Sequence, residues 1–486
     1  MFDIDGDAIT DGPVGRVLLL LAAPLVAQNL VYVANALVDT FWLGRVSEDA
    51  VAAVGLSLPI QSFLGAVVVV AAVGTQILVA QRAGGDDEAG ARRVAFNGAL
   101  VALAVTAAVA VPVAAFAEEL VRFLGADPAL AGTTAAYLAI VAAVLPVGAV
   151  GETVENCFTA RGDTRAVLHV SVASVLVNLV AAPTLIFGVG PVPAFGVAGA
   201  ALATALSGVA GLLHVLAYAA GIGRDTFRLT RDALVVDAGD LRAVVAVGLP
   251  LGGQRGVSEL VRVLVVGLVA VAGGAAGVAA YTVGARVATL AIVPALGVQQ
   301  AAQSMIGQNL GAGAPRRARR TTLVGTGAVV VGFIALGAVQ FLFAGAIADA
   351  LAPDLTPTGR SLSVLYLRVL AVSYPALGGT YTLLAGFNGA SRTRTALVAD
   401  LVKYWAVRFP IAVAAVPATA TFGVFGVAVA PGLGWGVEAV FWAVAVSNVA
   451  GFLGLGAYFA YATRRGMFPT AAERAGDGGD TADDDD

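Results

Sequence analysis

An aspartate inside an apolar stretch is the residue of this chain best placed to do chemistry. Gln28, Tyr32, Asn35 and Asp39 are separated by four, three and four positions, which puts all four on one face of a helix. An ionised side chain at mid-bilayer costs roughly 2.5 to 3.5 kcal/mol on insertion scales, so a carboxylate kept there needs a partner or a task. Beside amides and hydroxyls, Asp39 can exchange a proton or offer oxygen to a hard cation such as sodium. The plainer reading is that Asp39 caps or hydrogen-bonds near the outer end of its own helix.

Three further stripes have the same character. Ser171, Ser174 and Asn178 share a face of the fifth apolar span, and Thr204 lies on the sixth. On the fourth span, Glu152, Glu155, Asn156 and Thr159 form one side, with Tyr137 nearer its start. Acidic groups in a cleft attract organic cations and can exchange a proton for them; the alternative is that they pair with Arg161 or Arg165. On the seventh, Arg255, Glu259 and Arg262 follow at spacings of four and three, the pattern of an internal salt-bridge cluster. Glu259 is the second-lobe candidate for a coupling carboxylate.

Helices must carry these stripes through a membrane. With 59% hydrophobic and 12% charged residues, and a mean hydropathy of +0.88, most of the chain is unsuited to water. Apolar runs of the roughly 20 residues that cross a 30 Å hydrocarbon core recur between short polar breaks. They fall at 16–43, 50–81, 93–117, 130–160, 165–188, 195–221, 243–271, 277–308, 320–349, 360–389, 395–418 and 433–463, which predicts twelve spans. The chain is also one unit written twice. Residues 79–93 return without a gap as 306–320, an offset of 227 from Gln81 to Gln308, and Tyr137-Leu138 with Pro146 return as Tyr366-Leu367 with Pro375.

Arginines crowd alternate breaks: Arg82, Arg92 and Arg93; Arg161 and Arg165; Arg224, Arg228 and Arg231; Arg316, Arg317, Arg319 and Arg320; Arg392 and Arg394; Arg464 and Arg465. The positive-inside rule makes that side, and both termini, cytoplasmic. Six spans per repeat give both halves the same orientation, so the pseudo-twofold axis runs along the membrane normal with a cleft between two lobes. The expected organisation is a cytoplasmic segment 1–15, a first lobe 16–221, a cytoplasmic linker 222–242, a second lobe 243–463 and an acidic, disordered tail 464–486. The acidic N-terminal segment has no basic n-region, so the first span is expected to stay.

Several activities lack their residues. The single lysine, Lys403, sits between Val402 and Tyr404, so there is no Gly-Lys-Ser/Thr phosphate loop. The single cysteine, Cys157, excludes an internal disulfide and a cysteine-based zinc site. No His-Glu-X-X-His or Gly-X-Ser-X-Gly pattern occurs, which argues against a membrane-embedded enzyme.

A resemblance then becomes specific. Val38-Asp39-Thr40, the loop at 80–93, Arg161-Gly-Asp-Thr-Arg165, Leu185-Ile-Phe-Gly188, the stretch Gly196 to Thr204, Pro294-Ala-Leu-Gly297, the stretch Gly307 to Gly313 and Arg408-Phe-Pro410 run in order along nearly the whole chain. This ordered set resembles the multidrug and toxic compound extrusion (MATE) family, closest to its prokaryotic DinF-like and NorM-like branches. The resemblance implies a secondary antiporter of two six-helix bundles that exports substrates by alternating access in exchange for protons or sodium ions. Family cation-site positions fall on Asp39, Asn178 and Thr204, with sodium at Asp39 the one metal implied. Two positions depart. Where the family often has an aspartate four residues after that asparagine, this chain has Ala182, which favours the proton. The tenth span, Ser373 to Ala390, holds no acidic residue, so Glu259 lacks the carboxylate partner that NorM-like members have there.

Gln28, Tyr32, Asn35, Tyr137, Glu152, Glu155, Asn156 and Ser174 are the expected substrate-cleft residues. The expected partners are small-molecule substrates and the bilayer of the cell membrane, with no cofactor beyond the coupling ion, no nucleic acid, and a monomeric protein. The rival transporter reading, a lipid-linked oligosaccharide flippase of the same superfamily, predicts a strongly basic cavity for a diphosphate.

Overall fold

Backbone N–H and C=O groups in hydrocarbon must find partners inside the protein, and a helix satisfies them within its own segment. The computed structural model describes residues 9, 11–123, 128–222, 226–353, 355–418, 422–424, 427–429 and 432–476. Arg224 lies outside the described residues; of the tail 464–486, expected to be disordered, Met467–Gly476 forms a helix that buries Met467 and Phe468, and the part beyond Gly476 lies outside the described residues.

The first half forms α1 (Val14–Gly44), α2 (Glu48–Gly84), α3 (Glu88–Ala115), α4 (Pro128–Ala160), α5 (Thr164–Phe187) and α6 (Val197–Ala219). The second half begins with a continuous helical run, Ala238–Gly311, that breaks at Gly274, where φ is 55° and ψ −154°. That left-handed residue divides the run into α7 before it and α8 after it. Then follow α9 (Pro315–Leu351), α10 (Pro357–Gly389), a composite α11 and α12 (Val437–Arg464). Ten described helices are long and apolar enough to cross a membrane; dividing the Ala238–Gly311 run and adding the composite α11 gives twelve.

The helix α11 departs from a regular span. It joins Thr393–Leu401 to a π-helical segment, Val402–Arg408, and then to Phe409–Ala414. Between α11 and α12 the short strands β1 (Phe422–Val424) and β2 (Val427–Val429) pair antiparallel.

Aspartates cap the helices that start on the arginine-rich side. Asp87 accepts the Gly90 N–H at 2.8 Å before α3, Asp163 accepts Ala166 at 3.0 Å before α5, and Asp237 accepts Asp240 at 2.8 Å before α7. Each satisfies a helix donor that has no intrahelical acceptor and places negative charge at the positive end of the helix dipole.

The two six-helix bundles share one core and then part. Near the arginine-rich ends, residues of both halves, from Leu21, Ile77 and Phe158 to Met305, Phe387 and Phe459, form a single buried cluster. Toward the opposite side the cores separate. One gathers Leu43, Tyr137, Ala182 and Ile186 in the first lobe, and another Val265, Tyr366, Tyr374 and Phe441 in the second. The lobes are therefore joined at one end and divided at the other.

Candidate substrate cavity and cation site

Glycines let the lobes touch backbone to backbone where they are joined. A side chain at Gly311 would put its Cβ 1.8 Å from the Gln81 carbonyl oxygen, and one at Gly84 would meet the Gln308 carbonyl at 2.0 Å. Gly248 similarly lies against the Val70 carbonyl. Around this crossing two glutamines reach across symmetrically. Gln81 Nε2 donates to the Gly389 carbonyl at the end of α10 at 2.9 Å, and Gln308 Nε2 donates to the Ala160 carbonyl at the end of α4. Each supplies a donor to a carbonyl at a helix C-terminus.

Above this floor lies a cavity of about 530 Å³ walled by both lobes, within the range of drug-sized sites. The first-lobe wall is acidic. Glu155 is buried and accepts from Gln28 Nε2 at 2.5 Å, while Ser171 Oγ lies 3.1 Å from the Tyr32 hydroxyl and 3.4 Å from the same carboxylate. Glu152 and Asn156 line the same wall, and Glu152 keeps solvent-accessible surface because it faces the cavity. Arg161 pairs with Glu88 at 2.5 Å, and the Glu155 carboxylate is engaged by the polar groups of α1 and α5.

The α1 stripe leaves the cavity at Tyr32 and continues to a second cluster. Asn178 Nδ2, on α5, donates to Asp39 Oδ1 at 2.7 Å and to Asn35 Oδ1 at 3.0 Å, and Asn35 Nδ2 donates to Asp39 Oδ2 at 3.2 Å. The buried Asn178 Oδ1 has no hydrogen-bond partner among the described residues. Asp39 thus bonds both within its own helix and across to another, which goes beyond the capping reading. Tyr137 lies beside it, against Gln61. Ala182, at the position where the resemblance implies a second carboxylate, is buried among Ala181, Ile186 and Val197.

Two of the expected residues stand outside these clusters. Ser174 turns its hydroxyl to the Val170 carbonyl and abuts Gly211 on α6, and Thr204 is exposed and donates to the Ala200 carbonyl. In both, a carbonyl four residues back takes the hydroxyl proton, the usual outcome for Ser and Thr inside apolar helices.

The second-lobe wall is different in kind. Glu259 bridges Arg255 Nε at 3.3 Å and Arg262 Nη1 at 3.2 Å, as the spacing on α7 predicted. Asp400 on α11 accepts from Gln254 at 3.1 Å, and Lys403, Tyr404 and Tyr381 complete the face. Among the described residues no group of three His, Cys, Asp or Glu side chains is placed to hold a metal ion.

The MatE family model matches this chain twice, over residues 24–184 and 256–414, once in each repeat. The chain belongs to the MATE family. It is 30% identical over 473 residues to the "Probable multidrug resistance protein NorM" of Pseudomonas aeruginosa, covering 94% of this chain and 91% of that one. It is 24% identical over 420 residues to the "FAD transporter" of Shewanella oneidensis, covering 84% and 89%. Among solved structures, "Outward-facing conformation of a multidrug resistance MATE family transporter of the MOP superfamily" shares its fold with a TM-score of 0.84 at 22% identity, covering 97% of this chain and 99% of that one. The chain "Crystal structure of MATE in the straight conformation" does so with a TM-score of 0.84 at 21%, over the same shares. The protein is thus a multi-pass MATE efflux transporter for small molecules.

Sequence reading passed over part of this MATE cavity. Asp400, Lys403, Tyr404 and Gln254 fall on no polar stripe as long as that of α1. The available signal was the repeat: Asp400 lies 229 residues after Ser171, and Arg255 lies 227 after Gln28.

Proposed function

We propose that the protein exports organic compounds carrying a cationic group by alternating access, driven by proton entry at Asp39. The observation that carries this reading is the continuity of α1. Its one polar face holds Gln28 and Tyr32 in the substrate cavity and Asn35 and Asp39 in the cation cluster. From Gln28 to Asp39 is eleven residues, about 16 Å along a helix.

Ionised, Asp39 accepts both amide donors and ties α1 to α5. Protonation removes the charge that holds the Asn178 N–H and gives the carboxyl a proton to donate, for which the unpartnered Asn178 Oδ1 is an acceptor in the same cluster. That exchange changes how α1 lies against α5, and the same helix pair grips Glu155 through Gln28 and Ser171. A substrate cation at Glu155 and a proton at Asp39 then favour different states, which coupling requires. By the positive-inside rule the joined end is cytoplasmic, so the cavity here faces outward.

The orphan Asn178 Oδ1 also favours a second reading, in which sodium takes oxygens from Asp39, Asn35 and Asn178. Ala182 supplies no second carboxylate and weighs toward the proton. The flippase reading needs a strongly basic cavity, and Glu152 and Glu155 on the first-lobe wall oppose it. Dye efflux from proteoliposomes under an imposed proton gradient or an imposed sodium gradient tests the choice. The proton gradient alone is expected to drive it; sodium-driven efflux at equal pH overturns the proton reading.

A further inference from the structure

The two walls of the cavity carry opposite charge. On the first-lobe side stand Glu152 and Glu155; on the second stand Arg255, Arg262 and Lys403, with Asp400 the one carboxylate lining that side. Glu259 lies behind the two arginines and is shared between them, taking only Nε of Arg255 and Nη1 of Arg262. Their side chains remain 54% and 58% exposed. A guanidinium has five N–H donors in a fork suited to a carboxylate, so most of these donors are left for something in the cavity.

Lys403 makes the case stronger. It is the chain's only lysine, is 5% exposed, and lies in the π-helical segment of α11, a local geometry that recurs at functional sites. Among the described residues no carboxylate comes within salt-bridge distance of its ammonium. Its contact is the face of the Tyr404 ring, 4.9 Å away. Asp400, one turn earlier, is engaged by Gln254, and Arg408, one turn later, donates to Ser447 and Asn448. A desolvated ammonium with no carboxylate in ion-pair contact, and only the more distant charge of Asp400 acting on it, is unfavourable, and the cavity it lines is where an anionic group can reach it.

We propose that Arg255, Arg262 and Lys403 form an anion subsite, so that the cavity selects amphoteric molecules: a cationic group against Glu152 and Glu155 and a carboxylate or similar acid against the second lobe. This rests on the export reading above and narrows its substrate class. An acid on the substrate neutralises the lysine and receives the free guanidinium donors. A cation lacking the acid leaves the guanidinium donors that Glu259 does not take without a partner from the substrate.

The test is a matched pair of dyes, rhodamine B, which has a free carboxylate beside a cationic ring system, and its ethyl ester, which is a cation only. Fluorescence polarisation with the purified full chain gives both affinities. The acid is expected to bind roughly tenfold more tightly than the ester, as loss of one charge-assisted contact implies. Lys403→Gln and Arg255→Gln are expected to erase that ratio, and Lys403→Arg to keep it. Because the ratio is taken within one preparation, partial misfolding of a variant does not alter it. An ester that binds wild type as tightly as the acid overturns the proposal, as does a ratio unchanged in both neutral variants. Gradient-driven transport of the same dyes is measured separately: if neither moves, the export reading fails while the binding ratio still decides the subsite.

Discussion

Gln76 and Gln303 hold the same place in the two repeats, 227 residues apart, and the Nε2 of Gln303 meets the Oε1 of Gln76 at 3.4 Å in the floor of the cavity. A residue that touches its own repeat mate lies on the pseudo-twofold axis. One turn deeper, Gln81 and Gln308 use the same symmetry to hold the opposite lobe. The floor is thus a set of repeated amide contacts whose breaking would let the lobes separate.

Gln308→Ala removes one of the two donors that reach the Ala160 carbonyl, the other being Ser304 Oγ at 3.1 Å. The chain's only cysteine, Cys157, lies fully buried one turn before Ala160. A maleimide should label it slowly in the wild type and several-fold faster in Gln308→Ala, because loosening the Ala160 end of α4 loosens the packing that buries the thiol. Unchanged labelling would show that the contact does not hold the floor closed.

Gly311 packs against backbone, which cannot rotate away. Gly311→Ala places a Cβ 1.8 Å from the Gln81 carbonyl oxygen and should lower stability by about 1 to 3 kcal/mol. Gly327→Ala is the control, since nothing lies within 4 Å of the added methyl. Thermal unfolding in detergent compares them, and equal midpoints would mean that the helix crossing is looser than described.

Asp240 is buried at the start of α7 and holds Arg82 at 3.1 Å and Arg93 at 2.7 Å, tying the second lobe to α2 and α3. Asp240→Asn should cost roughly 1.5 to 3 kcal/mol, the range for hydrogen bonds to charged groups, toward the lower end because Arg93 is partly exposed. The neighbouring cap gives the pH dependence. The Asp240 backbone N–H holds the partly exposed Asp237 carboxyl below its usual range. Its stabilisation is therefore fully present above the unfolded value of roughly 4 and is lost as pH falls through the lower folded value. Acid unfolding of Asp237→Asn should show less pH dependence than that of the wild type across this window.

Glu155→Gln keeps the hydrogen-bonding shape and removes the charge. Affinity for a cationic dye should fall about tenfold, equivalent to 1.4 kcal/mol, in a fluorescence titration at fixed pH. An unchanged affinity would place the substrate cation elsewhere on the wall.

Most of the fold and part of the site were legible in the sequence. The spans followed from apolar runs bounded by arginines, and the α1 stripe followed from spacing. That Asn178 meets Asp39 rested on resemblance, because the two lie 139 residues apart and neither periodicity nor composition reports which helices touch. Ser174 shared a face with Asn178 in projection, yet its hydroxyl is taken by its own helix. The place of Lys403 in the cavity was hidden for a local reason: the π-helical turns of α11 alter the register on which a stripe argument depends. The charge contrast between the walls was hidden because the repeat conserves helices while changing their cavity residues, with Gln28 answered by Arg255 and Tyr32 by Glu259.

The central claim is that Asp39 couples ion entry to export, and the most direct measurement is gradient-driven efflux of a cationic dye from proteoliposomes holding wild type or Asp39→Asn at matched protein levels. Asp39→Asn has an amide where the proton would go. The account requires the wild type to respond to an imposed proton gradient and the variant to lose at least nine-tenths of that response. Gradient-driven efflux retained at the wild-type rate in Asp39→Asn would contradict it.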